Sequence, residues 1–448
     1  MQLRAGTLID TILHDAYRTQ ATARAFWRIS DQLLLADGTR YVDGRTAQGG
    51  DIIPQHDREL EIDHQLRKDL TLVEGYVRQI ADHYCSHVLR RPPTVVDVEH
   101  VSYEALVSDA DGWGTGLEAL LGKVLRQAFV EQASYLMPDS TLDRAPESAA
   151  EDGRYVLRQV SPDSVLWWSD LPNGQPQEAL ITAATVAGTP ILLHLTKDVI
   201  TRATYDVDKR LILDVEDTIP HRFGACPLVR VTAPPIIPPV ADAQRRLAWL
   251  ASLLAMEETD ATITQLVIRG ANPKAVEKMI KGSRTAWVFE DAAAAVDTFG
   301  ADPNQAQSLR QSITDTRDGL YRSAKVQPVQ AQGMPESGVA RAYRFVDADA
   351  ELAALAGSLE TARNRAVGMW AKASGVESPP VATYPDSFAP VDERGVIDRL
   401  LAVESSGLPD AWKAAERRRA GTILYPDDED VAATADMVDD GSGADGLT

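Results

Sequence analysis

The chain is poor in anything that would staple it covalently or anchor it in a bilayer. Of its 448 residues only two are cysteines, Cys85 in a helical pattern and Cys226 in a strand pattern. There is no CxxC and no paired framework, and a reducing compartment fits best. No run of 18 apolar residues is present, so no segment reads as a spanning helix and no membrane partner is expected. Residues Met1 to Asp10 have neither a basic n-region nor an apolar h-region, and the expectation is a chain made in the cytosol that stays there unless built into a particle. Basic residues are also in deficit, with 45 Lys and Arg against 66 Asp and Glu, a formal charge of −21. That argues against a protein gripping nucleic acid through clustered cations, though not against one that lets nucleic acid pass. GxxxxGK[ST] and GxSxG are both missing, so a P-loop motor and an α/β-hydrolase elbow are ruled out. No nucleophilic triad can be assigned.

What is present is ordinary globular material, 44% hydrophobic and 25% charged, long enough for more than one core. The first third is helical. Helix formers run from Thr7 to Asp37, an amphipathic helix is predicted over 70–89 (Leu72, Val73, Val77, Ile80 and Tyr84 on one face), and another over 116–136. Between Tyr155 and Thr232 six short β-type runs, with turn signals at Asn173-Gly174 and Asp208-Lys209, predict a compact, largely antiparallel sheet. Pro234, Pro235, Pro238 and Pro239 then break the chain. Two long helices follow, over 240–266 and about 304–325, bracketing a small mixed insert. A Pro/Gly loop over 327–337 is long enough to suspect function. It leads into a helix reaching Ala373, whose core stripe skips from Val346 to Leu352 and so predicts a bend near Asp347 to Ala350. Short helices and a tail close the chain, and from Asp427 to Thr448 that tail holds eight acidic residues and no basic one.

Few residue patterns suggest chemistry. His83 and His87 are four apart on one helix, the spacing of two metal ligands, but the glutamate of HExxH is missing. Asp109, Asp111 and Gly112 open like a calcium loop, yet Leu120 stands where the bidentate glutamate belongs, so a turn before a helix is expected. Gly112-Trp113-Gly114-Thr115-Gly116 follows no predicted strand and lacks the third glycine of a dinucleotide fingerprint. Trp167 and Trp168 are adjacent in a strand and should split into one core and one surface residue. Arg417-Arg418-Arg419 reads as a solvated helix face.

The order of parts carries more. Helices lead to a sheet that ends in Phe223-Gly224-Ala225-Cys226-Pro227-Leu228-Val229-Arg230-Val231. After it come a long helix, an insert, a second long helix, a Pro/Gly loop and then Glu336-Ser337-Gly338-Val339-Ala340-Arg341-Ala342-Tyr343. This arrangement resembles the portal proteins of tailed double-stranded DNA bacteriophages, in which a G-x-x-P-hydrophobic strand closes the wing and an SG-hydrophobic-A segment follows the tunnel loop. The strand region Val160 to Asp170, with Ser161-Pro162-Asp163 ahead of a tryptophan, is similar to the wing sheet of such portals. The resemblance spans about residues 70–390.

It implies an α+β, portal-like fold: N-terminal helices and wing over 1–239 (β-rich over 154–232), a stem helix over 240–266, the clip over 267–300 and a second stem helix over 301–326. The tunnel loop would be 327–337, the bent wing helix 338–373, the C-terminal wing and crown 374–426, and a flexible acidic tail 427–448. It implies a homo-oligomeric ring of twelve at one capsid vertex, assembled in the host cytoplasm and built into the virion. Double-stranded DNA would pass through without sequence specificity, lined by Gln327, Val329, Gln330, Gln332 and Met334, a segment with no basic residue. Lys274, Lys278, Lys281, Arg284 and Trp287 of the clip would meet partners. Those partners are the terminase large subunit, which supplies the missing ATPase, a head-tail adaptor, and the major capsid or scaffold protein. Twelve copies at −21 each carry −252 formal charges, which favours passage over tight binding. No cofactor and no resident metal are expected, and the chain reads as a non-enzyme. Two alternatives stay open: a metal-dependent enzyme of unknown substrate using His83 and His87, and another head-completion or adaptor component of a virion.

Overall fold

The computed structural model describes residues 51–57, 59–72, 74–96, 101–140, 154–186, 189–206, 211–262, 267–269, 287–289, 303–326, 338–388, 393–407 and 409–424. The elements expected over 7–37, the Asp208-Lys209 turn, the tunnel-loop candidate and the acidic tail lie outside them. Two units divide the chain, one made of 1–334 with 350–387, the other of 335–349 with 388–448.

Among the described residues the first helices of the first unit are α1 (Glu61–Leu70), which sequence periodicity misses, and α2 (Tyr76–Arg90). The helix predicted from residue 70 starts only at Tyr76. Thr71 is extended and Gly75 precedes α2, and Leu72, assigned to the apolar face, lies in the break with 86% of its surface exposed. Within α2, Val77, Ile80, Ala81, Tyr84, Cys85 and Val88 are buried at spacings of three and four, so its amphipathic half is as read.

Strand β1 (Thr94–Val96) and helix α3 (Val101–Ser108) lead to α4 (Leu117–Glu131). Leu121, Val124, Leu125 and Phe129 of α4 are fully buried, each contributing roughly 1.5–3 kcal/mol. Helix α4 stops at Glu131 rather than Leu136 because Gln132 takes a left-handed conformation, φ 68°, which turns the chain into β2 (Ala133–Ser140). Leu136 is therefore a strand residue.

Strand β2 is the centre of a three-stranded antiparallel sheet, flanked by β3 (Tyr155–Val160) and β9 (Val229–Thr232). A short 3₁₀ turn (Pro162–Ser164) leads into a five-stranded antiparallel meander of β4 (Val165–Asp170), β5 (Pro176–Val186), β6 (Thr189–Leu195), β7 (Val199–Asp206) and β8 (Leu211–Pro220). The predicted single sheet is two. Gly174, φ 72°, supplies the turn between β4 and β5. Tyr135, Met137, Val160, Val165, Ile181, Leu195, Cys226 and Leu228 form one core, and Leu180, Leu192 and Ala203 form a second. Trp168 packs on the first and Trp167 on the second, so the two tryptophans do point opposite ways, but each finds a core because both faces of the meander carry one.

The segment Phe223–Pro227 returns the chain to β9. Gly224 has φ 77°, a left-handed turn that favours glycine, and the tip of the flexible Lys372 side chain lies against it. Beyond β9, α5 (Ile237–Thr262), β10 (Val267–Arg269), β11 (Trp287–Phe289), α6 (Pro303–Ser323) and α7 (Gly338–Ser374) follow. Helix α7 is continuous through Asp347 to Ala350, where sequence predicts a bend, and the division between the units falls between Asp349 and Ala350. Its stripe Leu352, Leu355, Leu359, Ala362, Ala366 and Trp370 is buried as expected. Strand β12 (Val381–Thr383) pairs antiparallel with β1.

In the second unit, α8 (Glu393–Glu404) and α9 (Asp410–Leu424) are joined by Arg399–Glu416 at 2.6 Å and by Arg417 to both Glu404 oxygens, at 2.5 and 2.9 Å. Arg417, Arg418 and Arg419 are exposed, as the sequence predicts.

Candidate functional site

The feature that stands out from the cores is the hairpin of α5 and α6 with its strand pair. At about 1.5 Å per residue, 26 and 21 residues make rods of roughly 39 and 31 Å. Helix α5 begins inside the proline cluster rather than after it. Pro238 and Pro239 sit in its first turn, where backbone N–H groups have no intrahelical acceptor and proline costs little.

The two helices run antiparallel. At one end Glu258 accepts from Arg310 and Glu257 from Gln305, both at 2.8 Å. At the other, α2 ties both helices to the body of the first unit. The Val77 N–H donates to Gln244 Oε1 of α5 at 2.9 Å, the Tyr84 hydroxyl to the Ala324 carbonyl just past α6 at 2.9 Å, and the Tyr76 ring meets the Tyr321 ring edge-on at 5.9 Å. Burial pushes the Tyr84 phenol up to about 12, so it remains a donor throughout the neutral range.

Helix α1 adds a second tie. Arg67, 1% exposed, donates Nη1 to Ser252 Oγ at 3.1 Å, Nε and Nη2 to the Glu59 carboxylate at 2.8 and 2.6 Å, and Nη2 to the Pro54 carbonyl at 2.7 Å. Burial alone raises the Glu59 carboxyl, but hydrogen bonds from Arg67 and the His56 backbone, with the Arg67 charge, hold it below its ordinary value.

Burial changes abruptly along the hairpin. In α5, Ile237, Val240, Ala241, Gln244, Leu247, Ala248, Leu250 and Ser252 are buried, whereas no residue from 253 to 259 is. In α6 none from 304 to 319 is buried, while Leu320 and, just beyond, Ala324 are. Leu253, Leu254, Met256, Leu309 and Ile313 thus stay half-exposed on the outer half.

At the outer end β10 and β11 pair in parallel, Val267 opposite Trp287 and Arg269 opposite Phe289. Of the clip residues singled out in the sequence, Trp287 is on β11, and Lys274, Lys278, Lys281 and Arg284 lie outside the described residues. Gln327, Val329, Gln330, Gln332 and Met334 lie outside them as well.

The remaining sequence candidates resolve into local structure. Asp109 Oδ1 accepts the Gly112 and Gly114 N–H groups, and Asp111 Oδ1 those of Trp113 and Thr115. The loop is a carboxylate-capped turn ahead of α4, and Leu120 is buried in that helix. His83 and His87 do come together, ring centroids 4.6 Å apart, and among the described residues no cluster of three His, Cys, Asp or Glu side chains forms a metal site. Burial pushes both thiols up to about 12, so neither is a nucleophile at neutral pH. The anchoring residues Arg67, Glu59, Gln244 and Ser252 carry no sequence signal. Arg67 and Ser252 are 185 positions apart, and a lone arginine in a short polar helix reads as solvent-facing.

No family model matches the chain. No curated protein matches it significantly. Among solved structures it is similar to a chain of the neck of an empty gene transfer agent (GTA) particle, computed with C6 symmetry. Identity there is 12% and the TM-score 0.42, with 76% of this chain and 88% of that chain covered. It is also similar to a chain of the neck of the native GTA particle, computed with C12 symmetry, at 10% identity and TM-score 0.40, covering 78% of this chain and 89% of that one. A chain of the native GTA virion gives 10% identity and TM-score 0.37 over 75% of this chain and 86% of that chain. Likenesses this loose carry no argument about what the chain does.

Proposed function

We propose that the protein is a portal-type subunit of a virion: a non-enzymatic ring protein whose α5–α6 hairpin is the stem, whose β10–β11 end is the clip, and through whose centre double-stranded DNA passes. The observation that carries this reading is the loss of burial beyond Ser252 and before Leu320. A helical hairpin that leaves Leu253, Leu254, Met256, Leu309 and Ile313 half-covered lacks a packing layer on its outer half, and lateral copies of the same hairpin supply one. Completing the burial of each such side chain is worth at most roughly 0.5–1 kcal/mol, about a third of a full burial. The order of sheet, helix, strands, helix and long helix among the described residues supports this reading.

In this reading the terminase large subunit and the head-tail adaptor dock at the clip, the capsid or scaffold protein surrounds the ring, and the net negative charge keeps DNA from adhering. Negative-stain electron microscopy with native mass measurement tests it. Rings with a central hole, near 12 × 48.7 kDa or about 584 kDa, are expected. A chain that stays monomeric at every concentration and ionic strength, and does not assemble with capsid or scaffold protein, overturns the proposal. Rings without a projecting stem would point to another adaptor component instead.

A further inference from the structure

The one sequence motif that the conduit reading leaves unused is the histidine pair on α2. The helix places His83 and His87 one turn apart on the same face, and the two rings meet at 4.6 Å between centroids with planes at 71°. His83 is exposed and His87 half-exposed, so water and ions reach the pair. The imidazole χ2 is a broad torsion, and a metal joining the pair needs one ring nitrogen of each about 2.0–2.1 Å from it.

We propose that His83 and His87 form a two-point chelate for a divalent transition-metal ion of the zinc, nickel or copper type, with water completing its coordination. Imidazole selects these ions over magnesium and calcium, which take oxygen ligands. The site is a clip rather than a reaction centre. Bridging i and i+4 of α2 favours its helical state, and α2 is the element that holds the stem base through Tyr76, Val77 and Tyr84. Binding to the folded state alone raises stability with metal concentration. The inference stands whether or not the chain forms a ring.

The test uses the full chain without a histidine affinity tag, after chelator treatment and dialysis, with ZnCl2 and NiCl2 as probes and MgCl2 as the hard-ion control. Calorimetry should find one saturable Zn²⁺ or Ni²⁺ per chain and a rising melting temperature, with neither for Mg²⁺. His83→Ala and His87→Ala should each weaken binding by at least about tenfold, since even loss of an outer-shell partner costs about 10–100-fold, while His56→Ala should leave it unchanged. Circular dichroism of the metal-free variants separates loss of a ligand from loss of the helix. A readout free of variants is diethyl pyrocarbonate labelling followed by mass spectrometry, in which saturating Zn²⁺ should protect His83 and His87 together. Metal uptake that survives in either single variant, absence of saturable binding, or labelling of the pair unchanged by Zn²⁺ overturns the proposal.

Discussion

The two halves of the α5–α6 hairpin are made of the same two helices and obey opposite rules. The inner half is fixed by long-range partners: Arg67 on Ser252, Val77 on Gln244, Tyr84 on the Ala324 carbonyl, with Leu247, Leu250 and Leu320 buried. The outer half is held by exposed polar cross-links such as Arg310–Glu258, with side chains 62% and 51% exposed. A buried, hydrogen-bonded guanidinium and a solvated ion pair differ several-fold in what their loss costs. The inner half is therefore tied into a core, whereas none of residues 253–259 and 304–319 on the outer half is buried.

The sharpest way to break that contrast is Arg67→Ala, which strips the Glu59 carboxylate of its bidentate partner. We expect a loss of about 3–5 kcal/mol in denaturant unfolding, and a loss under 1 kcal/mol would show that the inner tie does not hold the hairpin. Leu320→Ala should cost about 2–5 kcal/mol as a fully buried deletion. Leu309→Ala, eleven positions earlier on the same helix, should leave the isolated chain within about 1 kcal/mol of the parent and yet reduce the ring fraction at a given concentration. If Leu309→Ala instead destabilises the monomer as much as Leu320→Ala, the outer half already has its packing layer.

Smaller effects sharpen the same divide. Arg310→Ala should cost at most about 1 kcal/mol, and the difference should fade in high salt. Because the Glu59 carboxyl is held below its ordinary value in the folded state, its contribution is complete above the unfolded carboxylate range and is lost as pH falls through the folded value. Glu59→Gln should flatten that acid limb of the stability–pH curve, and an unchanged limb would assign it to other carboxylates. Cys85 is buried in α2 with its thiol pushed up to about 12. A thiol reagent should label it only when α2 opens, and faster in Arg67→Ala if the two ties act together.

The sequence made legible what is periodic and local. The buried faces of α2 and α4, the strand runs of the meander, the turn at Gly174 and the helix–strands–helix order all follow from spacing and from glycine and proline. Boundaries failed where one residue's backbone decided them. Gln132 at φ 68° is no glycine and gave no warning that α4 stops at Glu131, and the proline cluster, read as a break, serves as the first turn of α5. The anchoring of the hairpin was illegible for a different reason. Arg67 reaches Ser252 across 185 positions and Val77 reaches Gln244 across 167, and no local pattern encodes such a pairing. The histidine pair lies between these cases, since its spacing put both rings on one face but could not say that they touch.

The antiparallel course of α5 and α6 has an electrical consequence. Each helix carries roughly half a positive charge at its N-terminus and half a negative charge at its C-terminus, and here the start of α5 lies beside the end of α6 while the end of α5 lies beside the start of α6. The two macrodipoles largely cancel. A ring of such hairpins would present almost no axial backbone field to a polyanion sliding along it, so that neither direction of travel is favoured by the stem itself.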